Sequence, residues 1–309
     1  MTFALVFPGQ GSQSAGMMNG YQDVPVVRNT FAEAGDILGQ NFWTLATEGP
    51  AEALNLTVNT QPLMLIAGVA VYRAWQELCG REPGALAGHS LGEYSALVCA
   101  GALRFADALP LVRLRAQAMQ EAVPLGEGAM AAILGVDDDI VRAACRAAAQ
   151  GQIVEAVNFN APSQVVIAGH KAAVERAMLG AKAAGAKRAV LLPVSAPFHS
   201  SLLQPAAKRL SARLLEIEIT APRIPVLNNV DVAFETEPQA IKLALARQAC
   251  SPVRWVEAVQ AMAQRGIRQI AECGPGKVLA GLTKRIDPEL QSFALTDSNA
   301  IRQACSALH

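Results

Sequence analysis

Apolar positions along the chain fall alternately into short continuous runs and into helical spacings. Phe3 to Phe7 is a continuous run that empties into Pro8-Gly9-Gln10-Gly11-Ser12, which predicts a buried strand ending in a tight loop with exposed backbone. That loop is a candidate wall of a site. Pro62 opens an apolar segment reaching Leu78, and proline is at home in the first turn of a helix, where its missing amide costs nothing. Ala85 to Gly88 is a second short strand candidate. Gly92 to Ala100 and Asp107 to Gln120 read as helices, the latter with Leu111, Leu114, Ala118 and Met119 recurring on one face. Alternating strands and helices predict an α/β core.

From about Gly128 the rhythm changes. Ala129 to Leu134 is strand-like, Asp137 to Ala149 helical, Ile153 to Val157 and Gln164 to Ile167 strand-like, Lys171 to Ala184 helical and Arg188 to Leu192 strand-like. This β-α-β-β-α-β order is the ferredoxin-like pattern. It predicts a small subdomain over residues 126–195, inserted into a larger unit made of 1–125 and 196–309. Ile224 to Leu227 and Ile267 to Ala271 then alternate with helical stretches, as though the first core resumes.

Composition narrows the function classes. The 309 residues are 52% hydrophobic, enough for a large core, and 26 basic side chains balance 26 acidic ones. Bulk charge therefore argues against nucleic acid or an anionic membrane as partner, and a charged partner must meet a local patch. The longest apolar stretch, Leu63 to Tyr72, has about half the roughly twenty residues of a membrane span. The start of the chain carries no basic segment followed by an apolar core and a cleavage site, so the cytoplasm is the expected location. The six cysteines (Cys79, Cys99, Cys145, Cys250, Cys273 and Cys305) are scattered without metal-ligand spacing, which predicts buried reduced thiols and no metal.

Candidate chemistry centres on Gly88-His89-Ser90-Leu91-Gly92. Between a strand and a helix, G-x-S-x-G places a serine on a sharp turn, and the Leu91 amide at the helix start can receive a developing oxyanion. Serine needs a base. Of the four histidines, His309 is terminal, His170 begins a polar helix, and His89 adjoins the serine and should point away from it. His199 remains, in a loop pinned by Pro193 and Pro197. Gly9-Gln10-Gly11 and Gly274-Pro275-Gly276-Lys277 fall short of nucleotide-binding fingerprints, and Glu93, Asp231 and Glu272 form no paired-carboxylate pattern.

Several motifs together resemble the malonyl-CoA:acyl carrier protein transacylase family of bacterial fatty-acid synthesis. They are Phe7-Pro8-Gly9-Gln10-Gly11-Ser12-Gln13, Thr60-Gln61-Pro62, Gly88-His89-Ser90-Leu91-Gly92-Glu93-Tyr94, Val157-Asn158-Phe159-Asn160, Asn228-Asn229-Val230 and Gly274-Pro275-Gly276-Lys277-Val278-Leu279. The resemblance implies an α/β-hydrolase-like core with an inserted ferredoxin-like subdomain. It implies Ser90 as the acylated nucleophile, His199 as the base, and a main-chain carbonyl near Gln248 orienting the imidazole. It further implies an oxyanion hole from the amides of Leu91 and Gln10, and Arg115 rather than Arg113 gripping the malonyl carboxylate. Phe198 resembles the bulky residue that disfavours methylmalonyl in related polyketide acyltransferases.

The partners implied are malonyl-CoA as substrate and an acidic acyl carrier protein, with no resident cofactor, no nucleic acid, no membrane and a monomeric enzyme. Lys277, Lys284 and Arg285 are candidate carrier contacts, with Lys187 and Arg188 as an opposite rim. Alternatives are a malonyltransferase of polyketide synthesis or malonate decarboxylase, a serine thioesterase or hydrolase, and a non-catalytic carrier-docking subunit.

Overall fold

A computed structural model describes residues 2–194 and 196–308, leaving Met1, Ser195 and His309 outside the described residues. In chain order its strands are β1 (Phe3–Phe7), β2 (Ala85–Gly88), β3 (Gly128–Leu134), β4 (Val154–Ala161), β5 (Gln164–His170), β6 (Arg188–Leu191), β7 (Val226–Leu227), β8 (Gln269–Cys273) and β9 (Gln291–Leu295). Five of them form a parallel sheet ordered β7-β2-β1-β8-β9. Every residue of β1, β2 and β8 is buried, as expected of strands covered by helices on both faces. The chain leaves β1 towards β2 on one side and later returns to β8 on the other, so the loops after β1 and β2 open at a switch point. Such crevices at the carboxyl ends of parallel strands are where α/β folds hold their ligands.

The other four strands form an antiparallel sheet ordered β4-β5-β3-β6, backed by the helices Asp138–Ala149 and Lys171–Ala183. Val141, Cys145 and Ala148 face inward from the first of these helices, the three- and four-residue spacing of an amphipathic surface. The ferredoxin-like order read from the sequence is the order found. The small sheet is tied to the larger unit where β4 bulges: Phe159 N donates to Val253 O at 3.0 Å and Val253 N to Val157 O at 2.8 Å.

Four expectations need correction. The helix around Pro62 begins at Thr57, so proline sits inside it. The polar run before Pro62 hid this start, because Thr57, Thr60 and Gln61 are buried although polar. Strand β8 lies two residues later than expected and includes the buried Glu272, which interrupts its apolar pattern, while β7 is shorter than expected. Cys79 and Cys305 form a disulfide, with Cα atoms 5.7 Å apart across a separation of 226 residues. Both lie at helix ends that only the tertiary fold brings together. Cys99, Cys145 and Cys273 are buried free thiols, and Cys250 is half-buried. Among the described residues no helix is long and apolar enough to cross a membrane.

Candidate active site

Steric closeness makes the elbow. A Cβ on Gly88 would lie 1.8 Å from the Gly92 carbonyl carbon, and one on Gly92 would lie 2.0 Å from Phe7 O, so neither position admits a side chain. Between them Ser90 is held at φ 53°, a region that L residues enter only when the surroundings insist. Asn229 supplies that insistence. Its Oδ1 accepts from Ser90 N at 2.7 Å and its Nδ2 donates to Gly88 O at 2.7 Å. Leu91 follows as the N-cap of the helix Gly92–Cys99, and both Leu91 and Gln10 line the cavity into which Ser90 faces.

His199 comes from the loop that returns from the small sheet to the core, also at positive φ (65°), and is only 5% exposed. Its Nε2 lies 2.7 Å from Ser90 Oγ and its Nδ1 2.8 Å from Gln248 O. A carbonyl oxygen can only accept, so Nδ1 carries the hydrogen and Nε2 offers its lone pair to the serine hydroxyl. Burial first, and then the positive charge of Arg115, lower the imidazole to about 3, which keeps it neutral at physiological pH.

Arg115 is 1% exposed. Its Nη1 donates to Gln61 Oε1 at 2.7 Å, and its Nη2 to Gln248 Oε1 at 2.9 Å and Ser90 Oγ at 3.1 Å. No carboxylate is among these partners. Arg113 points elsewhere, to Leu38 O and Gln40 Oε1, as positions two apart on a helix require.

The cavity holds about 180 Å³. Arg115, Gln61, Gln10 and the reactive pair line one part of it, and Met119, Met130, Val166, Leu192, Val194 and Phe198 close it with apolar surface. Phe198 thus reaches the site. His89 is also a lining residue, while its Nε2 turns from Ser90, as expected, to lie 2.8 Å from Asn160 Oδ1, and its ring packs on Trp255. His170 lies away from the site and accepts from Ile153 N, and His309 lies outside the described residues.

Lys277, Lys284, Lys187 and Arg188 are exposed. Arg285 is exposed as well, but its guanidinium is engaged with Gln164 Oε1 and Pro162 O, bridging the helix Val278–Ile286 to the start of β5.

Four side chains around the reactive pair were given no role from the sequence: Gln61, Glu93, Asn160 and Asn229. Glu93 is the clearest case, 2% exposed, with burial raising its carboxyl to about 7 against the hydrogen bonds from Gln248 and Asn229. An acid among the apolar residues of a short helix was the available signal.

The model of the acyl transferase domain family matches residues 4–287. The malonyl CoA-acyl carrier protein transacylase of Escherichia coli (strain K12) is 56% identical over 303 residues, 98% of each chain. The crystal structure of an acyl-carrier-protein S-malonyltransferase from Burkholderia pseudomallei superposes with a TM-score of 0.98 at 61% identity, covering 99% of this chain and 100% of that one. A malonyl-transacylase in complex with a type II PKS acyl-carrier protein gives a TM-score of 0.98 at 53% identity, over 99% and 100% of the two chains.

Proposed function

Because the chain belongs to the malonyl-CoA:acyl carrier protein transacylase family, we propose that it carries the malonyl group from malonyl-CoA to an acyl carrier protein thiol through an ester on Ser90, supplying fatty-acid chain extension. The single observation that carries the assignment of roles is Arg115: a permanently charged fork, buried with no carboxylate among its hydrogen-bond partners, 3.1 Å from the serine oxygen. Such a group is costly to bury unpaired, and a malonyl carboxylate entering beside Ser90 supplies the missing charge with bidentate geometry.

The two half-reactions use the same atoms in mirrored order. His199 Nε2 takes the proton from Ser90 Oγ as the oxygen attacks the thioester carbonyl. The amides of Leu91 and Gln10 receive the oxyanion, helped by the helix dipole behind Leu91. Collapse breaks the carbon–sulfur bond, and His199 returns its proton to the coenzyme A thiolate. The carrier thiol next gives its proton to His199, its sulfur attacks the ester, and the Ser90 alkoxide leaves and is reprotonated. Each half-reaction is an acyl exchange at a carbonyl and calls on no resident cofactor. Gln248 O stands where a serine hydrolase with a full triad has a carboxylate.

We read residues 126–195 as the subdomain closing the site from above and 1–125 with 196–309 as the unit holding the reactive pair. Exposed Lys277 and Lys284, with Lys187 and Arg188 opposite, suit encounter with an acidic carrier. Arg285 contributes less, being held by Gln164. Intact-mass analysis after rapid quenching with malonyl-CoA tests the central step. A malonyl adduct in the wild-type chain, lost in Ser90→Ala and discharged by carrier protein, is expected; an adduct that persists in Ser90→Ala refutes it.

A further inference from the structure

A buried guanidinium bonds to whichever acceptors its surroundings hold in place, so its aim is only as good as theirs. Around Arg115 the acceptors are carboxamides. Gln248, wholly buried at the end of the helix Pro238–Gln248, accepts from Arg115 Nη2 with Oε1 and donates with Nε2 to Ser90 O at 2.9 Å and Glu93 Oε2 at 2.8 Å. A carboxamide can turn end for end at little steric cost, because its oxygen and nitrogen are nearly the same size. Turned over, Gln248 would set an NH₂ against the guanidinium and an oxygen against two acceptors. Glu93 is one of those two, and it sits beneath the site without lining the cavity.

The same carboxyl oxygen has a second task. Glu93 Oε2 also accepts from Asn229 N at 2.9 Å, and Asn229 is the residue whose side chain clamps Ser90 N and Gly88 O. One atom thus stands behind both the guanidinium and the strained turn of the nucleophile.

We propose that Glu93 is a positioning residue: by holding the Gln248 carboxamide one way round and the Asn229 backbone in place, it aims Arg115 at the acyl carboxylate and keeps Ser90 on its turn. This rests on the reading of Arg115 given above. The role asks for an acceptor and not for a charge, since a protonated acid keeps its carbonyl oxygen. A glutamine in the same place can therefore serve.

The test measures acylation by malonyl-CoA and by acetyl-CoA, together with thermal midpoints, in Glu93→Gln, Glu93→Met, Gln248→Met and Arg115→Ala. Glu93→Gln should stay within about threefold of wild type for both substrates. Glu93→Met, which removes the acceptor at similar length, and Gln248→Met, which cuts the relay from the other side, should each lower the malonyl-over-acetyl preference by about tenfold or more. An unchanged preference in either methionine variant overturns the inference, as do equal losses with both substrates or a Glu93→Gln loss as large as that of Glu93→Met. If Glu93→Met fails to fold, Gln248→Met decides. A preference lost in Arg115→Ala but kept in Gln248→Met overturns only the role of Glu93, whereas a preference kept in Arg115→Ala refutes the reading beneath it.

Discussion

The two sheets contribute to the same cavity in opposite ways. The parallel unit buries polar groups: Arg115, Glu93, Gln248, Asn229 and Gln61 all lie inside it at or near full burial, joined by hydrogen bonds. The antiparallel unit has a core of mostly small and branched apolar side chains from Ala131 to Ala189 and offers the cavity mainly an apolar wall, with Met130 from β3, Val166 from β5 and Leu192 just after β6, beside the polar Asn158 and Asn160 of β4. A buried polar network is favourable only where its members find partners in one arrangement, so it tolerates few substitutions and fixes orientation as well as position. An apolar wall fixes only shape. On the proposed reading, charge recognition and proton transfer belong to the first unit, and discrimination by size to the second and to the loop that leaves it.

The largest effect that sharpens this contrast is expected at Arg115. Arg115→Ala should lower malonyl transfer by about ten- to a hundredfold while raising relative use of acetyl-CoA, because only the carboxylate-bearing substrate loses a charge-assisted pair. Equal kcat/KM losses for the two substrates would place Arg115 in the fold instead of the recognition.

A smaller effect is expected at the wall. Phe198→Leu trims a ring from the loop beside His199, and relative use of methylmalonyl-CoA should rise by about tenfold, the scale of one methyl group in a tight pocket. Competition assays with the two substrates measure this directly. If malonyl transfer collapses while selectivity stands still, Phe198 supports the histidine loop and the division between chemistry and shape is wrong there.

The smallest expected effect is a level pH profile. The proposed base, His199, must be neutral to accept a proton, and burial followed by the charge of Arg115 lowers it to about 3. The fraction able to accept a proton therefore stays near one as pH falls from 8 to 5, and declines only as the folded value is approached. Acylation rates at subsaturating malonyl-CoA should show no inflection at the ordinary histidine value of about 6.5. An inflection there that persists in Glu93→Gln, which removes the other buried group raised to about 7, would mean an imidazole open to water, and the polar unit would be less closed than its geometry.

How much of this was legible beforehand differs by kind of residue. The small unit was readable because its elements are local: each strand or helix announces itself by a period of two or of three to four, and their order alone gives the ferredoxin-like pattern. The elbow was readable for a similar reason, its two glycines and serine being five consecutive residues with a strand before and a helix after. Arg115 over Arg113 required the family resemblance, because periodicity says that two such arginines face apart but not which faces the cavity. Glu93, Asn229 and the side chain of Gln248 were not readable as a network, since Glu93 lies 136 and 155 residues from the other two. The disulfide between Cys79 and Cys305 escaped for the same reason.

The alternation of elements, the order of the β-α-β-β-α-β unit and the turn that exposes Ser90 are written in neighbouring residues, because steric closeness and apolar periodicity act over short stretches of chain. Only the tertiary structure decided which polar groups share the buried space behind that turn. A side chain such as Glu93 or Gln248 is costly to bury alone and favourable in company, and the company is set by the packing of distant segments.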